Sequence, residues 1–475
     1  MNIVLATPPI PGVSCNTGSF PPLGLMYLAA GAKQLPGVRV KLVDAFCEGL
    51  DMDRAADAIL SHSPDVVGLS VASRGLRNLA ALLDKLKKAR PGILTVAGGI
   101  HPTLFDRLLL KEIPALDVVV RGEGDRSFPE LCRRLVAGEP IADVPGVSCR
   151  VNGEIQRGEP QLIEDLDALP FPDRSLLNAR GYGQQWFGHS LPHMPRFTTI
   201  FSSRGCPFTC TFCADVKLCH NRLRIRSAES VFQELAQVSR EGHEFVIFFD
   251  DSFTGDIARV EKLCHLILQQ KLNLRLAFAG GLQRLSQSTL DLMHRAGFDL
   301  AFVGVESGSD EQLKRYRKPA TTQAMISGIA RAKKAGMLIL ASFITGSKEE
   351  SEADHEASKA FVRKTLPHIC EINSLMVHPG SLLWDELNGP GDPETLEASE
   401  SRLVSRFPGQ MEKKIIKDRA QDFHRAFQRS WLHWRRISDF FSLWFRNPLF
   451  ARVMKLFVLN PGPILKLLTA AKARD

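Results

Sequence analysis

Up to about position 150 the chain alternates short β-branched apolar runs with amphipathic stretches. The runs Asn2–Thr7, Val38–Val43, Val66–Ser70, Leu94–Ala97 and Val118–Val120 predict buried parallel strands, apolar on both faces. Helical periodicity follows at Leu23–Leu35, Met52–Ser61, Leu76–Ala89 and Phe128–Val136. Strand and helix in strict alternation predict a doubly wound α/β domain over residues 1–150. The strands end in small or polar residues: Pro8-Pro9, Asp44, Ser70, Gly98-Gly99-Ile100-His101 and Gly122-Glu123-Gly124. In such a sheet the ligand sits at the carboxyl edge, so these ends mark a binding rim. Taken singly, Gly98-Gly99 also fits a tight strand-to-helix turn.

Residues 151–196 are loop-rich, with a rigid turn at Leu169-Pro170-Phe171-Pro172, and are expected to be a linker. A second alternating series occupies 197–385. Its strand-like runs are Thr199–Ser202, Phe245–Phe249, Arg275–Ala279, Leu300–Val305, Leu338–Ile344 and Glu371–Met376, separated by helical patterns such as Ala228–Arg240 and Ile257–Gln270. Six β/α units predict a partial barrel, short of the complete eight-unit one. A helical region, 386–475, closes the chain.

At 44% hydrophobic and 24% charged, the 475 residues have the composition of a folded globular protein. No stretch reaches the ~20 consecutive apolar residues of a spanning helix. The start, Met1-Asn2-Ile3-Val4-Leu5, lacks the basic region of a signal peptide, and a cytoplasmic location is expected. The net charge of +8 belongs to the end of the chain: residues 401–475 hold 16 Lys and Arg against 5 Asp and Glu, and the rest is slightly acidic. The folded body therefore carries no basic field for nucleic acid.

Three of the ten cysteines fall within eight residues, in Arg204-Gly205-Cys206-Pro207-Phe208-Thr209-Cys210-Thr211-Phe212-Cys213, directly after the first strand of the second series. Three soft thiolates on one loop suit zinc or iron–sulfur chemistry. Zinc takes a fourth ligand, for which Cys219 and His220 are at hand. Three ligands to a [4Fe–4S] cluster instead leave one iron open.

The C-x3-C-x2-C motif after a strand that opens a partial barrel resembles the radical S-adenosylmethionine superfamily. The resemblance implies that Cys206, Cys210 and Cys213 hold a [4Fe–4S] cluster whose open iron chelates S-adenosylmethionine. Reductive cleavage would then yield a 5′-deoxyadenosyl radical, with a one-electron reductant such as ferredoxin or flavodoxin as partner. Phe212 matches the aromatic position beside the adenine. Asp250-Asp251-Ser252-Phe253 resembles the segment near the methionine amino group, and Gly304-Val305-Glu306-Ser307-Gly308 the segment near the ribose and methionyl end. Asp251 also fits a helix cap, whereas Glu306 at a strand's carboxyl end faces the mouth of a barrel. The loop Ile344-Thr345-Gly346-Ser347-Lys348-Glu349-Glu350 departs from the usual G-x-P-G-E-T pattern. His378-Pro379-Gly380-Ser381 resembles the turn that closes the core.

The first domain resembles the cobalamin-binding domain of the B12-type class of these enzymes. The matching residues are Pro21–Ala29, Gly68-Leu69-Ser70, Gly98–Thr103 and Gly122-Glu123-Gly124-Asp125, and with the barrel the resemblance covers roughly residues 1–385. It implies cobalamin at Asp44, Ser70, Gly98, Gly99, Gly122, Glu123 and Gly124. The D-x-H-x-x-G motif that supplies a cobalt ligand here reads Asp44-Ala45-Phe46-Cys47-Glu48-Gly49, so the histidine is absent. His101 reads as a rim or structural histidine.

Ten aromatics lie between Phe423 and Phe457, and Phe423, Phe427, Trp431 and Trp434 share one helical face, interspersed with Arg425, Arg429, Arg435, Arg436, Arg446 and Lys455. Two readings stay open: a helical cap on the barrel, or an interfacial segment at anionic lipid giving peripheral membrane contact. The expected activity is cobalamin-dependent methyl transfer to an unactivated carbon of a lipid-like or secondary-metabolite small molecule. The alternatives are radical cyclisation, rearrangement or carbon–carbon coupling without methyl transfer, and a non-catalytic iron–sulfur binding or regulatory protein.

Overall fold

The structure, a computed structural model, describes residues 1–9, 20–72, 75–177, 196–389 and 411–430, with residues 182, 185–186, 189–190, 443, 446–448 and 450–451. They form two compact units. One comprises Met1–Gly188, Cys213–His220 and Val377–Phe407, the other His189–Phe212, Asn221–Met376 and Pro408–Asp475.

The first unit is built on a seven-stranded sheet. Its strands are β1 (Asn2–Thr7), β2 (Arg39–Asp44), β3 (Val66–Ser70), β4 (Leu94–Gly98), β5 (Val118–Val120), β6 (Val147–Val151) and β7 (Glu154–Arg157), in the order β2-β1-β3-β4-β5-β6-β7. β1 through β5 pair in parallel, whereas β6 and β7 add antiparallel. The helices α1 (Leu23–Ala32), α2 (Met52–Leu60), α3 (Leu76–Ala89), α4 (Ile100–Leu104), α5 (Asp106–Glu112) and α6 (Gly124–Ala137) connect them. Ile3, Val4, Leu5 and Ala6 are all buried, as expected of a strand covered on both faces. The strand order reverses between β1 and β3, the switch point where open α/β sheets bind ligands beyond their carboxyl ends.

The stretch expected to be loop-rich from Val151 onward begins instead with the β6–β7 hairpin. Asn152 and Gly153 turn it at φ +52° and +84°, the left-handed pair that a two-residue hairpin needs. Val377 and the residues after it, expected to end the barrel, belong to the first unit. There Val377 and Trp384 pack with Phe105 and Leu108 in a small core of their own.

The main sheet of the second unit has six strands, β8 (Phe197–Ile200), β9 (Phe245–Phe248), β10 (Arg275–Ala279), β11 (Phe298–Glu306), β12 (Leu338–Thr345) and β13 (Ile369–Ser374), all parallel and in sequence order. That is an open six-stranded partial barrel. Helices follow the strands, each started by a side-chain cap: Ser227, Asp256, Ser286, Thr321 and Ser351 all accept from a backbone N–H in the first turn. Alternation sorts the strand residues onto two faces. Val246, Phe248, Leu276, Phe278, Ala301, Val303, Ile339, Ala341 and Phe343 enter the main core under the helices. Their neighbours Ile247, Ala277, Leu300, Phe302 and Leu340 lie on the opposite, lumen face.

Helix Lys413–Ser430 carries the first half of the aromatic face noted in the sequence. Phe423 is buried in the barrel core with its ring 4.8 Å from Phe343, and Phe427 packs against the same core. Arg419 reaches Glu350, and Asp422 bonds Lys359 and His355. Here the cap reading applies: these two aromatics are spent on protein and are not available to lipid. Trp431, Trp434 and most of the residues beyond them lie outside the described residues. Among the described residues no helix is long and apolar enough to cross a membrane.

Candidate functional site

The cysteine loop leaves the carboxyl end of β8. Cys206, Cys210 and Cys213 are half-buried and form no disulfide. Gly205, immediately before the first of them, stands at φ +82° and donates its N–H to Asp251 Oδ2 at 2.9 Å. On the other side, Thr211 donates its N–H to Tyr316 O at 3.0 Å, and Phe212 meets the Tyr316 ring edge-on at 5.3 Å. The loop is thus pinned at both ends by barrel residues while its thiols form no disulfide. Three such thiols suit an iron–sulfur cluster, so the donor set fits.

The two acidic residues after β9 part company. Asp250 is buried, and its carboxylate accepts Ser202 N–H at 2.7 Å, Ser203 Oγ at 2.7 Å and the Ser202 hydroxyl. Burial raises its pKa, and nearby Arg259 opposes the rise. Asp250, expected beside the methionine amino group, is therefore consumed inside the protein, where it ties β9 to the start of the cysteine loop. Asp251 is exposed and does not cap the next helix, a role that Asp256 fills.

Glu306 and Ser307 divide in the same way. Glu306 ends β11 at φ +63°, beside a register shift between Gly304 and Glu306, and its carboxylate accepts from Lys318 Nζ at 2.9 Å. Gly304 makes room for that pair, since a Cβ there would lie 2.4 Å from Glu306 Oε1 and 3.1 Å from Lys318 Nζ. Desolvation acts to lower the Lys318 pKa, but Glu306 and the Cys210 and Cys206 thiols outweigh it and hold it above the ordinary value. Ser307, expected at the ribose, is buried: its Oγ accepts Ser309 N–H at 3.1 Å, facing the helix Glu352–Thr365. Lys318 escapes sequence reading because the run Lys314-Arg315-Tyr316-Arg317-Lys318 looks like a solvated helix end. In the irregular loop after β12, Glu350 accepts from Gly346 N–H at 2.7 Å and Thr345 Oγ1 at 2.9 Å, so a carboxylate shapes the turn that Pro and Gly usually shape.

In the first unit, Asp44 is buried at the end of β2. It accepts Thr7 Oγ1 at 2.5 Å, Tyr182 OH at 2.6 Å and Cys47 N–H at 3.2 Å. Half-buried Phe46 follows it, and a phenyl ring has no lone pair to offer a metal. Ser70 ends β3. Gly99, at φ +104°, is required by the protein's own backbone, because a Cβ would meet Val71 O at 3.0 Å. Gly98 ends β4, and Gly122, after β5, donates its N–H to Thr103 Oγ1 at 2.9 Å. Glu123 accepts Ile163 N–H at 2.8 Å, and Gly124 opens α6 against Leu28. Glu123 and Gly124 thus serve the scaffold, while Ser70, Gly98, Gly99 and Gly122 put small residues along the carboxyl edge of the sheet, at the ends of β3, β4 and β5. That edge fits a flat macrocycle, with Phe46 offering it no ligand. His101 is wholly buried, and burial pushes its pKa down to about 4.

Comparison with known proteins agrees with this geometry. The B12 binding domain family matches residues 11–132 and the radical SAM superfamily residues 200–362. An uncharacterized methyltransferase of Pyrococcus horikoshii is 31% identical over 391 residues, 81% of this chain and 83% of that one. The chain belongs to the cobalamin-binding class of the radical S-adenosylmethionine superfamily. It is accordingly an enzyme whose cofactors are a [4Fe–4S] cluster, S-adenosylmethionine and cobalamin. The anaerobic magnesium-protoporphyrin IX monomethyl ester cyclase of Rubrivivax gelatinosus is 27% identical over 423 residues, 86% of this chain and 74% of that one. A cobalamin-dependent S-adenosylmethionine radical enzyme, solved with aqua-cobalamin and S-adenosylmethionine bound, shares the fold at a TM-score of 0.71 and 17% identity. That alignment covers 89% of this chain and 66% of the other, so this chain spans just under two thirds of its length.

Proposed function

We propose that this enzyme transfers a methyl group to an unactivated carbon of a lipid-like or secondary-metabolite substrate, using a ferredoxin or flavodoxin as electron donor. The observation that carries the reading is the union, in one chain, of a B12-binding sheet and a three-cysteine barrel with 31% identity to a methyltransferase over most of both lengths. Cys206, Cys210 and Cys213 would hold the cluster, Asp251 and Glu306 the polar end of S-adenosylmethionine, and Ser70, Gly98, Gly99 and Gly122 the cobalamin. When bound, these groups supply a radical able to take hydrogen from carbon and a carrier able to deliver a methyl group. The chain's own residues position and exclude. Lys318 holds Glu306 in place, and Ile247, Ala277, Leu300 and Leu340 floor the lumen with apolar side chains that keep water from a reactive intermediate.

The test is anaerobic incubation of the reconstituted enzyme with candidate lipids and S-adenosylmethionine labelled in its methyl group, followed by mass spectrometry. A product heavier by one labelled methyl supports the reading. The likeness to a cyclase over 86% of the chain favours, as second reading, a radical ring closure without methyl transfer. A product that has lost hydrogen and gained no label would establish that reading instead. Absence of S-adenosylmethionine cleavage under all conditions would leave only a binding role for the cluster.

A further inference from the structure

Helix Lys413–Ser430 meets more of the second unit than the core it caps. Its first turns contact the irregular loop Thr345–Glu350 at the carboxyl end of β12. Gly346, at φ +101°, is held there on three sides. Its N–H goes to Glu350 Oε2 at 2.7 Å, its carbonyl accepts Met411 N–H at 3.2 Å, and a Cβ would stand 3.0 Å from Ile416. Arg419 completes the contact: its Nη1 donates to Glu350 O at 3.0 Å and lies 3.5 Å from Glu350 Oε2, with both side chains nearly buried. Among the described residues the other donors to that carboxylate, Thr345 Oγ1 and Gly346 N–H, are neutral. Arg419 therefore supplies the counter-charge that a buried carboxylate needs.

The clamped loop borders the groups assigned to S-adenosylmethionine. Register sets Phe343 of β12 beside Glu306 of β11, so Thr345 and Gly346 stand two and three residues further toward the same mouth. Arg315 donates to Glu349 O at 2.7 Å. The next residue, Tyr316, takes the Thr211 N–H on its carbonyl and the edge of Phe212 against its ring. Contacts thus run from Arg419 through the loop and Arg315-Tyr316 to the cysteine loop. In the G-x-P-G-E-T pattern a proline restricts this turn. Its position and that of the following glycine hold Lys348 and Glu349 here, whose backbones carry no such restriction. The constraint comes instead from Arg419, 69 residues beyond Glu350 in the chain.

We propose that Arg419, acting through Glu350, is a positioning residue for S-adenosylmethionine: helix Lys413–Ser430 holds the Thr345–Glu350 loop as one wall of that cofactor's site, in place of the missing Pro-Gly pair. The helix is thereby a working part of the site, although it touches no reacting atom. A loop without the clamp spends only a fraction of the time in the binding-competent form, and affinity falls by that fraction. The proposal rests on the reading that S-adenosylmethionine lies beside Phe212 and Glu306.

Calorimetric titration of the anaerobically reconstituted full chain with S-adenosylmethionine tests it, with aqua-cobalamin titration as the control for an intact fold. Arg419→Met should weaken S-adenosylmethionine about tenfold, as expected of a loop competent about one tenth of the time, and leave aqua-cobalamin affinity unchanged. In the cofactor-free chain the same variant should speed amide hydrogen exchange across Thr345–Glu350. The deciding variant adds Lys348→Pro and Glu349→Gly to Arg419→Met. Restoring the Pro-Gly pair should recover S-adenosylmethionine affinity without the arginine, a rescue that a merely destabilised helix would not allow. Unchanged affinity or exchange in Arg419→Met, an equal loss of aqua-cobalamin binding, or no recovery in the triple variant would each overturn the proposal. Glu306→Gln separates the two readings. If it leaves S-adenosylmethionine affinity intact, the placement beside Glu306 falls; if it lowers affinity and Arg419→Met does not, the clamp alone falls.

Discussion

Glu306 carries two opposing energies that can be measured apart. An L-residue in the left-handed region costs roughly 1–2 kcal/mol relative to glycine, and Glu306 holds φ +63°. Its carboxylate lies 2.9 Å from Lys318 Nζ, with side-chain exposures of 12% and 21%. Removing one partner of a buried pair costs about 3–5 kcal/mol, and the residual exposure of Lys318 puts this case near 3. Glu306→Ala keeps the strain and loses the pair, so about 3 kcal/mol of stability should go. Glu306→Gly loses the pair but relieves the strain, so it should be milder by about 1 kcal/mol. Lys318→Met leaves the carboxylate unpaired and should match Glu306→Ala. The double variant Glu306→Gln with Lys318→Met leaves no lone charge and should fall short of the summed single effects by about 2 kcal/mol.

The assay is urea unfolding of the cofactor-free chain followed by circular dichroism, with 5′-deoxyadenosine release from the reconstituted variants beside it. Additivity of the two substitutions within about 0.5 kcal/mol would refute the coupling. Equal losses for Ala and Gly would refute the strain. A strained non-glycine residue that persists at a barrel mouth is held there for its side chain, so Glu306→Gln should lose 5′-deoxyadenosine release however well it folds. Undiminished release would reduce Glu306 to a structural partner of Lys318.

Replacing Cys206, Cys210 and Cys213 together by Ala should abolish the cluster's visible absorbance; a normal spectrum in the triple variant would show that other residues hold it. Bound cob(II)alamin should give an electron paramagnetic resonance spectrum without hyperfine coupling to a protein imidazole, because Phe46 stands where the ligand would be. His101, held neutral by burial down to about pH 4 against an ordinary 6.5, takes no proton in the folded state where the unfolded chain does. Its contribution is therefore complete above about pH 6.5 and is lost as the pH falls toward 4, about 2 kcal/mol by pH 5; His101→Phe should flatten the urea midpoint over that range, and an unaltered slope would count against it.

The strands whose bounds are legible to the residue, Asn2–Thr7, Val66–Ser70, Val118–Val120 and Arg275–Ala279, sit among other strands, where covered faces leave an apolar run. The pattern along the chain puts β13 two residues late because Glu371 and Asn373 interrupt the apolar run that marks a strand. The β6–β7 hairpin hides from that pattern although Asn152-Gly153 is a strong turn signal, because β7 is a polar edge, Glu-Ile-Gln-Arg. Lys318 meets Glu306 only through the tertiary path of the loop that follows β11, which no local pattern records.

Asp250 and Ser307 part from their motif neighbours for one physical reason. A motif read as a string treats neighbours alike, whereas a strand sends them to opposite faces. Phe248 enters the helix-side core, so alternation sends Phe249 and Asp251 one way and Asp250 the other, and Asp250 is buried while Phe249 and Asp251 are exposed. Val303 and Val305 enter that same core, so Gly304 and Glu306 face the lumen and Ser307 turns toward helix Glu352–Thr365. The pleat is legible from the apolar residues alone. Applied to the two motifs, it sends Asp251 and Glu306 to one face, and puts Asp250 and Ser307 among contacts within the protein.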